Sequence, residues 1–363
     1  MWRARAPVRV DFTGGYTDCS PFTDREWGRA VNLAIARYAT ATARRLPGGQ
    51  VRAVPEVAEG ARPAQPRVVD AMLSRYTRAG LHRLRISTGV QVAVELDVPA
   101  GCGLGTSGAS GVAILAALSG LFGCGLEGVR LARLAALVER DIGIAGGWQD
   151  QYAAVLGGAH SYTFTSHPTE PDSIPSVRLT PSGEAMYRLQ QHLLVVVPPP
   201  PEVRRSSSSL VKQVARRQTS HNVHTLAGLY ALNGMAGPLA TALATADVAE
   251  LARLVNQVRR AQALLAPGVV DARVAHLVDT MTSTSARTGA AADVLAGKPC
   301  GGGGPGAAWL LIVEPERANA VSGRLAAAGM RVEAVQAALT GCRVFQVRGE
   351  AGRTGEAGEE VFG

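Results

Sequence analysis

A glycine-rich stretch, Pro99-Ala-Gly-Cys-Gly-Leu-Gly-Thr-Ser107, has the composition of an anion-binding turn. It follows an alternating run, Val90–Val98, that predicts a strand, and it precedes an apolar run to about Phe122 that predicts a helix. Glycines between a strand and a helix leave backbone N–H groups unpaired and pointing one way, with the helix dipole behind them. The stretch therefore predicts a phosphate site, and a tight turn without a ligand is the alternative.

Two well-known phosphate-binding patterns do not fit this turn, and a third fits only in its spacing. Gly103-x-Gly105-x-x-Gly108 has the spacing of the dinucleotide fingerprint. The predicted helix is followed by another helix, however, where that fold needs a second strand ending in an acidic residue. No Gly-Lys-Ser/Thr closes the turn, which excludes a Walker A loop. The absence of His-Arg-Asp and Asp-Phe-Gly excludes a protein kinase.

Three motifs in the same order resemble those of the GHMP kinases, a superfamily that includes galactokinase and the homoserine and mevalonate kinases. Pro99-x-x-x-Gly-Leu-Gly-Thr-Ser-Gly-Ala resembles the central phosphate-binding motif, with Thr106 in place of the usual first serine. Ala6-Pro-Val-Arg-Val-Asp-Phe-Thr-Gly-Gly-Tyr-Thr-Asp18 resembles the first motif, and Cys300-Gly-Gly-Gly-Gly-Pro-Gly the third. A further segment, Gly143–Gly158, contains Gln-Asp-Gln-Tyr and is similar to heptose 7-phosphate kinases and to the kinase half of L-fucokinases.

The resemblance implies an α+β, two-domain GHMP kinase fold, with a ribosomal-protein-S5-domain-2-like N-terminal domain and a ferredoxin-like C-terminal domain. A stretch rich in Pro, Ser and Thr at 165–184 suggests domains 1–185 and 186–348, followed by a flexible tail, 349–363. The predicted strands are 6–12, 30–43, 90–98, 193–197, 307–313, 330–336 and 342–348. The predicted helices are 68–79, 106–122, 126–142, 148–156, 210–235, 238–265, 269–296 and 315–328, with a surface excursion at 46–68 and a second glycine-rich turn at 298–306.

By the same resemblance, a kinase needs a cradle for the ATP phosphates and a magnesium ion that neutralises their charge. The predicted cradle consists of Gly101, Cys102, Gly103, Leu104, Gly105, Thr106 and Ser107. The predicted metal ligands are the Ser107 hydroxyl and the carboxylate of Glu139, which lies 11 positions before Asp150. A solvated glutamate beside Arg140 is the alternative for Glu139.

Asp150 is the predicted catalytic base. It follows a Gly-Gly break in the first turn of a predicted helix, where the dipole favours the ionised carboxylate. An ionised carboxylate can accept the proton of the attacking sugar hydroxyl, which by resemblance is the anomeric one. A capping aspartate is the alternative. Arg9, on the first strand, would by resemblance lie near Asp150 and hold it ionised, or it would be a surface arginine.

The resemblance also places the sugar acceptor among residues of all three motifs and of one loop. The predicted acceptor-binding residues are Gly14, Gly15, Thr17, Asp18, Gln149, Arg204, Arg205, Ser206, Gly302 and Gly303. Arg204 and Arg205 would bind a distal phosphate, and a flexible basic loop is nearly as good an explanation. Tyr16 and Trp148 depart from the family pattern beside this site, which leaves the identity of the sugar open.

The composition narrows the choice of partners. The chain of 363 residues has a net charge of +8, but its arginines are scattered and only 5% of its residues are aromatic, so we expect no nucleic acid. The charge fits phosphorylated small molecules. The five cysteines are far apart, the first residues lack the apolar core of a signal peptide, and no uninterrupted apolar run reaches roughly 18 residues. We expect a cytoplasmic protein, without a membrane partner, that is a monomer or a homodimer.

The sequence therefore predicts an ATP- and Mg²⁺-dependent sugar 1-kinase that acts on a heptose 7-phosphate or an octose 8-phosphate. An L-fucose-type kinase is the alternative within the fold. A non-catalytic sugar sensor that binds ATP is the alternative from another class, and a dinucleotide oxidoreductase is a more distant one.

Overall fold

The computed structural model consists of two β-sheets with helices packed on them. It describes residues 1–55, 66–164, 176–179, 181–200, 207–288, 293–347 and 359–362. One sheet has eight strands and the other has four. Strands and helices follow one another without a regular βαβ alternation, so the predicted α+β class is confirmed.

The first half of the chain builds most of the larger sheet and the helices on it. These elements are β1 (Trp2–Thr13), β2 (Gly28–Leu46), β3 (Val51–Pro55), α1 (Pro66–Arg83), β4 (Gly89–Leu96), α2 (Thr106–Phe122), α3 (Gly128–Asp141), α4 (Gln149–Leu156), β5 (Ala159–Phe164), β6 (Ser176–Leu179) and α5 (Gly183–Gln191). The later elements are β7 (Leu193–Val197), α6 (Ser207–Thr219), α7 (Val223–Gly234), α8 (Ala236–Thr245), α9 (Val248–Leu265), α10 (Ala272–Thr288), β8 (Val294–Pro299), β9 (Trp309–Val313), α11 (Ala318–Ala327), β10 (Arg331–Ala334), β11 (Arg343–Gln346) and β12 (Glu359–Phe362).

The larger sheet is organised around the long strand β2. Its strand order is β12-β11-β1-β2-β4-β3, and β5 and β6 continue the sheet from β2. The first residues of β2 pair with β5 and its last residues pair with β4, both antiparallel. The register of β1 on β2 shifts between Pro7 and Val8, at the bend that joins the two halves of β2. Arg9 and Asp11 follow this bulge and lie on one face of β1.

Helix α2 is the central helix of the molecule. Every residue from Gly108 to Ser119 is buried, because the helix is built of small and apolar residues on all sides. It packs against β1, β2, α3 and α4. Gly111 admits the hydroxyl of Tyr76, since a Cβ there would lie 2.2 Å from that oxygen. A helix held so firmly fixes the glycine-rich turn that precedes it.

The smaller sheet has the antiparallel order β10-β7-β9-β8. Its two central strands, β7 and β9, are entirely apolar and buried, and Trp309 on β9 is fully buried. Helices α9 and α10 pack against β8, and α7 packs against α9. The strand β11 then returns to the larger sheet and pairs with β1. The division of the chain at residues 185 and 348 stays a prediction, but this return places 343–346 in the first sheet.

Among the described residues, one stretch, Val223–Thr245, is long and apolar enough to cross a membrane by length and composition, and 39% of its apolar 18-residue window is buried. It contains α7 and α8, with a change of helix at Met235. α7 packs on α9, and α8 packs on α9 and β2. Its neighbours are therefore those of a core helix.

The structure corrects several predicted elements. The predicted helix 269–296 ends at Thr288 and is followed by β8, so Lys298 lies in a strand and not in the glycine-rich turn. The single predicted helix 210–235 is two helices, α6 and α7. The strands β3, β5 and β6 and the helix α5 were not predicted. Part of the predicted tail, Glu359–Phe362, is a strand paired with β11.

Candidate active site

The turn between β4 and α2 has the backbone of an anion cradle. Gly101, Gly103 and Gly105 have φ angles of +74°, +85° and +74°, which favour glycine, so the chain can curl tightly before α2 begins at Thr106. The Thr106 hydroxyl accepts a hydrogen bond from the Gly101 N–H (3.2 Å) and closes the turn internally. The Arg9 N–H donates to the Leu104 carbonyl (3.0 Å), which ties the turn to β1.

The other glycine motifs pack directly on this turn. A Cβ at Gly103 would lie 2.6 Å from the Cys300 carbonyl oxygen, and one at Gly301 would lie 2.7 Å from the Gly103 carbonyl oxygen. A Cβ at Gly15 would lie 2.5 Å from the Gly301 carbonyl oxygen. The three segments therefore approach backbone to backbone, and glycine is required at each contact. The Ala308 N–H also donates to the Cys102 carbonyl (2.7 Å).

Arg9 and Asp150 form a two-contact ion pair beside the turn. The Nε and Nη2 atoms of Arg9 lie 2.9 Å and 2.7 Å from Asp150 Oδ1, and its Nη1 donates to the Gly103 carbonyl (2.6 Å). Burial opposes the charge of Arg9, but Asp150 and Asp11 outweigh it and raise its pKa above the ordinary value. The Asp150 side chain keeps 28% of its exposure. Arg9 is thus a buried, permanent cation that holds an accessible carboxylate at the cradle.

Gly108, in the first turn of α2, makes room for Asp150. A Cβ at Gly108 would lie 2.6 Å from the Asp150 Cβ, and one at Gly105 would lie 3.2 Å from the Asp150 carboxyl carbon. The close approach of α2 and α4 therefore depends on these two glycines. It brings the predicted base to the N-terminus of α2.

Ser107 and Glu139 lie side by side behind the cradle. The Ser107 hydroxyl donates to Glu139 Oε1 (2.5 Å), and the Gln151 side-chain amide donates to Glu139 Oε2 (2.6 Å). Burial, with a smaller effect of Asp150, raises the pKa of Glu139 to about 7, although both donors act in the opposite direction. Gln151 is fully buried and was not among the predicted site residues. The sequence could have indicated Gln151, because it directly follows Asp150 in the Gln-Asp-Gln segment.

The Ser107–Glu139 pair could hold a magnesium ion. Mg²⁺ prefers oxygen ligands and is usually held by only one or two protein carboxylates, with water and phosphate oxygens as the rest. A buried carboxylate whose pKa is raised by burial is also a group that a divalent ion would stabilise. Among the described residues, no group of three or more His, Cys, Asp and Glu could form a metal site of its own. The pair therefore fits a metal that arrives with a phosphorylated ligand.

Asp18 lies buried between the first motif and the turn before α4. Its Oδ2 accepts a hydrogen bond from the Gln149 N–H (3.2 Å), and a Cβ at Gly147 would lie only 1.9 Å from that oxygen. Burial and the nearby Asp150 raise the pKa of Asp18 to about 7. The Gln149 side-chain oxygen accepts from the Asn32 amide (3.3 Å). Asn32 thus extends the polar cluster onto β2, and it too was not predicted.

The remaining predicted acceptor residues fall into three groups. Thr17 is buried and donates its hydroxyl to the Arg29 carbonyl (2.7 Å), and Gly14 packs on Ala30, so both support the loop after β1. Gly302 accepts a hydrogen bond from the Tyr16 hydroxyl (2.5 Å), whereas Gly303 packs against Val269, away from the cradle. Arg204, Arg205 and Ser206 lie outside the described residues.

The two residues that depart from the family pattern have structural partners. Tyr16 is buried and links the first motif to the second glycine-rich turn through Gly302. Trp148 is half-buried, with the Arg140 guanidinium 4.7 Å from its ring centroid and Tyr152 at 6.5 Å. The Arg140 stack occupies one side of Trp148.

An ion pair between Asp11 and Lys298 joins the two sheets under the cradle. Both side chains are fully buried, and Lys298 Nζ lies 2.9 Å from Asp11 Oδ2 and donates to the Asp11 carbonyl (2.7 Å). The other carboxylate oxygen, Asp11 Oδ1, accepts from the Gly301 N–H (2.7 Å). Neither residue was predicted, although Asp11 and Arg9 alternate on one face of a predicted strand, which could have indicated a shared site.

Comparison with known proteins agrees with this geometry. Residues 67–158 match the family model described as the GHMP kinases N terminal domain. The match covers about a quarter of the chain. The predicted resemblance is thereby confirmed, and the matched residues include the cradle, Glu139 and Asp150.

Two curated relatives that this chain resembles act on sugars, according to their names. The D-glycero-alpha-D-manno-heptose 7-phosphate kinase of Campylobacter jejuni is 29% identical over 170 residues, which are 45% of this chain and 50% of the relative. The L-fucokinase/L-fucose-1-P guanylyltransferase of Bacteroides fragilis is 28% identical over 193 residues, 44% of this chain and 20% of the relative. The matched region thus spans half or less of either relative.

Solved structures show the same fold over nearly the whole chain. A D-glycero-D-manno-heptose 1-phosphate kinase from Bacteroides thetaiotaomicron has a TM-score of 0.69 at 23% identity and covers 96% of this chain and 100% of its own. A Lactococcus lactis galactokinase has a TM-score of 0.65 at 17% identity and covers 94% of each chain. The predicted two-domain GHMP kinase fold is therefore confirmed.

Proposed function

We propose that this chain is a sugar 1-kinase that transfers the γ-phosphoryl group of ATP to the anomeric (C1) hydroxyl of a long-chain sugar phosphate. D-glycero-D-manno-heptose 7-phosphate is the first candidate acceptor, and an octose 8-phosphate is the second. The bisphosphate would serve nucleotide-sugar biosynthesis. The observation that carries the proposal is the Arg9–Asp150 ion pair at the mouth of the glycine cradle, in a chain similar to a heptose 7-phosphate kinase.

The cradle binds the triphosphate through backbone N–H groups. The left-handed φ angles of the glycines curl the chain just before the N-terminus of α2, and the open Cβ position of Gly101 leaves room for phosphate oxygens to approach. Ser107 and Glu139 would hold a magnesium ion, which would neutralise charge on the phosphates.

Asp150 takes the proton of the acceptor hydroxyl. Its carboxylate is accessible, and Arg9 pairs with it from the buried side. Proton transfer to a positioned carboxylate raises the nucleophilicity of the attacking oxygen as the bond to phosphorus forms. Arg9 also adds positive charge near the transferred group, where negative charge has to be stabilised in the transition state. Asp18, two contacts away through Gln149, orients the hydroxyls of the sugar.

The test is an assay of the wild type and Asp150→Asn with Mg²⁺ and ATP against heptose 7-phosphate, L-fucose and galactose. We expect the heptose phosphate to be preferred and Asp150→Asn to lose activity about 10³-fold, within the range of general base catalysis. Asp141→Asn is the matched control, because Asp141 pairs with Arg83 on the surface. Phosphorus NMR of the product, split by the anomeric proton, tests the C1 position.

The same assay separates the alternatives. A preference for L-fucose would favour the fucokinase relatives and would overturn the proposed sugar phosphate. Equal activity of wild type and Asp150→Asn would overturn the mechanism. Binding of ATP and a sugar without turnover would indicate a sensor.

A further inference from the structure

Lys298 lies in β8 of the smaller sheet, yet its ammonium group reaches under the catalytic residues of the larger sheet. It is fully buried and forms two contacts with one residue, the carbonyl and the carboxylate of Asp11. A buried lysine is costly unless it is fully paired. The buried Lys298–Asp11 pair must therefore have a role that apolar residues of similar size could not perform.

The use of lysine in this chain is itself selective. Of the 37 basic residues other than histidine, only Lys212 and Lys298 are lysines. The chain uses arginine at every other basic position, including the partner of the predicted base. An ammonium is a compact point charge, whereas a guanidinium is a broad planar fork. At position 298 the compact cation fits the enclosed space beside Asp11.

Charges alternate from Lys298 to the base. Lys298 contacts Asp11 Oδ2 at 2.9 Å, and Arg9 Nη1 lies 3.9 Å from Asp11 Oδ1. Arg9 then contacts Asp150 at 2.7 Å. Arg9 therefore faces two carboxylates, of which it binds Asp150 tightly and Asp11 only loosely. The Lys298 ammonium and the Gly301 N–H occupy one oxygen each of Asp11, and so reduce its attraction for Arg9.

We propose that Lys298 is a positioning residue, which neutralises Asp11 and thereby keeps Arg9 on Asp150. The role of Asp150 in this statement rests on the proposed kinase activity. Without the ammonium, Asp11 is a buried carboxylate with one N–H donor, and Arg9 is the nearest cation that can compensate it. Arg9 then shifts toward Asp11 and releases Asp150. The pKa of Asp11 is lowered, because Lys298 and Arg9 outweigh the burial that alone would raise it. This agrees with a permanent negative charge at Asp11.

The first test does not depend on activity. Unfolding midpoints are measured for the wild type, Lys298→Met, Asp150→Asn and the double variant. If Lys298 acts on the Arg9–Asp150 pair, the effect of Asp150→Asn in the wild type differs from its effect in the Lys298→Met background by more than ~2 °C, because coupled residues are not additive. Additive shifts would overturn the proposal, even if the chain proved to have another activity.

The second test uses the heptose phosphate assay. We expect Lys298→Met to lower kcat about 100-fold with less than a threefold change in KM for ATP, since Arg9 and not the cradle is displaced. Asp11→Asn/Lys298→Met removes both charges and should regain at least tenfold of the lost kcat. Lys212→Met, at the exposed lysine of α6, is the control. A double variant no better than Lys298→Met would assign the pair a structural role only.

If Lys298→Met does not fold, Lys298→Gln and the charge-free double variant replace it in both tests. Lys298→Gln keeps one donor toward Asp11 but removes the charge. The kcat of Lys298→Gln should therefore lie between that of the wild type and that expected for Lys298→Met. A wild-type value of kcat for Lys298→Gln would overturn the proposal. If the wild type has no sugar kinase activity at all, the unfolding test remains decisive for the coupling, and the failure belongs to the proposed function.

Discussion

Two carboxylates of the candidate site, those of Asp18 and Glu139, are buried. Asp18 and Glu139 both have pKa values raised to about 7, mainly because burial disfavours their charged forms. Asp150 is the more exposed acid, and Arg9 supports its charge. Three acids within one site thus differ in their environments, as in other enzymes in which groups of the same type have different roles.

Replacing Asp18 by asparagine should make the stability of the protein less sensitive to pH between about pH 4 and pH 7. The folded-state pKa of Asp18 is raised from 3.8 to about 7, so the folded protein binds more protons than the unfolded chain between about pH 4 and pH 7. Its contribution is favourable at low pH and is lost as the pH rises through about 7. Asp18→Asn should therefore gain on the wild type between pH 5 and pH 8, by at most about 3 kcal/mol, because only about two pH units of that interval lie below the folded-state pKa.

Urea unfolding at both pH values measures this gain. Asp141→Asn is again the control, because Arg83 lowers the pKa of Asp141 and removal of its charge should not stabilise the protein at pH 8. A difference between Asp18→Asn and the wild type that is constant with pH would show that Asp18 keeps its charge on folding.

Gln151 should control the magnesium requirement. Its amide fixes one oxygen of Glu139, while Ser107 contacts the other. Outer-shell partners of metal ligands typically change metal affinity by 10–100-fold, so Gln151→Met should raise the half-saturating Mg²⁺ concentration about tenfold. The KM for the sugar should stay unchanged. Titration of Mn²⁺ binding in the presence of a nucleotide provides the second measurement, and an unaltered metal affinity would contradict the assignment.

At the scale of elements, the site depends on the close approach of α4 to α2 and to the loop after β1. Gly147 is the tightest of these contacts, because a Cβ would lie 1.9 Å from Asp18 Oδ2. Gly147→Ala should displace Asp18 or the start of α4, and raise the KM for the acceptor at least about tenfold with little change in KM for ATP. One misplaced group in a binding site can cost this much.

The neighbouring glycine offers the control for this experiment. A Cβ at Gly146 would be at 3.4 Å from its nearest neighbour, Glu139 Oε2, which is ordinary contact. Gly146→Ala should therefore stay much closer to the wild type. Equal effects of the two substitutions would mean that the turn needs flexibility and not space at position 147.

The sequence predicted these elements unevenly, for physical reasons. The periodicities of α3 and β4 reflect burial on defined faces, whereas α2 was predicted from an unbroken apolar run. The predicted bounds of all three agree with the structure to within a few residues. The start of β8 was predicted as the end of a helix because Val294-Leu-Ala is a short apolar run, and such runs do not distinguish a strand from a helix. β5, only six residues long, follows a Gly-Gly pair and gave no signal of its own.

Some residues of the candidate site could likewise be predicted from the sequence, and others could not. The cradle, Arg9 and Asp150 could be placed because motif glycines and a motif aspartate determine local backbone and chemistry. Lys298 could not, since its partner Asp11 is 287 positions away and the contact exists only after β8 enters the second sheet. Long-range pairs of this kind depend on topology, which periodicity along one chain does not record.

At the scale of the whole molecule, the chain closes on itself. β11 follows the strands of the smaller sheet in the sequence, but it pairs with β1 of the larger sheet, the strand that carries Arg9 and Asp11. Met1 and Val347 exchange backbone hydrogen bonds at this closure. β12 then pairs with the outer edge of β11 and has no other strand neighbour in the part of the chain that the structure describes.

Two truncations should therefore behave differently. A chain ending at Val347 loses β12 but keeps the β1–β11 pair, and we expect its kcat to be unchanged and its melting temperature to fall by no more than about 3 °C. A chain ending at Ala338 also loses β11, which exposes the edge of β1 beside the site, and we expect a loss of stability of several degrees with a fall in kcat. Thermal unfolding and the heptose phosphate assay compare the two. If both truncations were equally stable and active, β11 would be dispensable and the catalytic strand would be held by β2 and α2 alone.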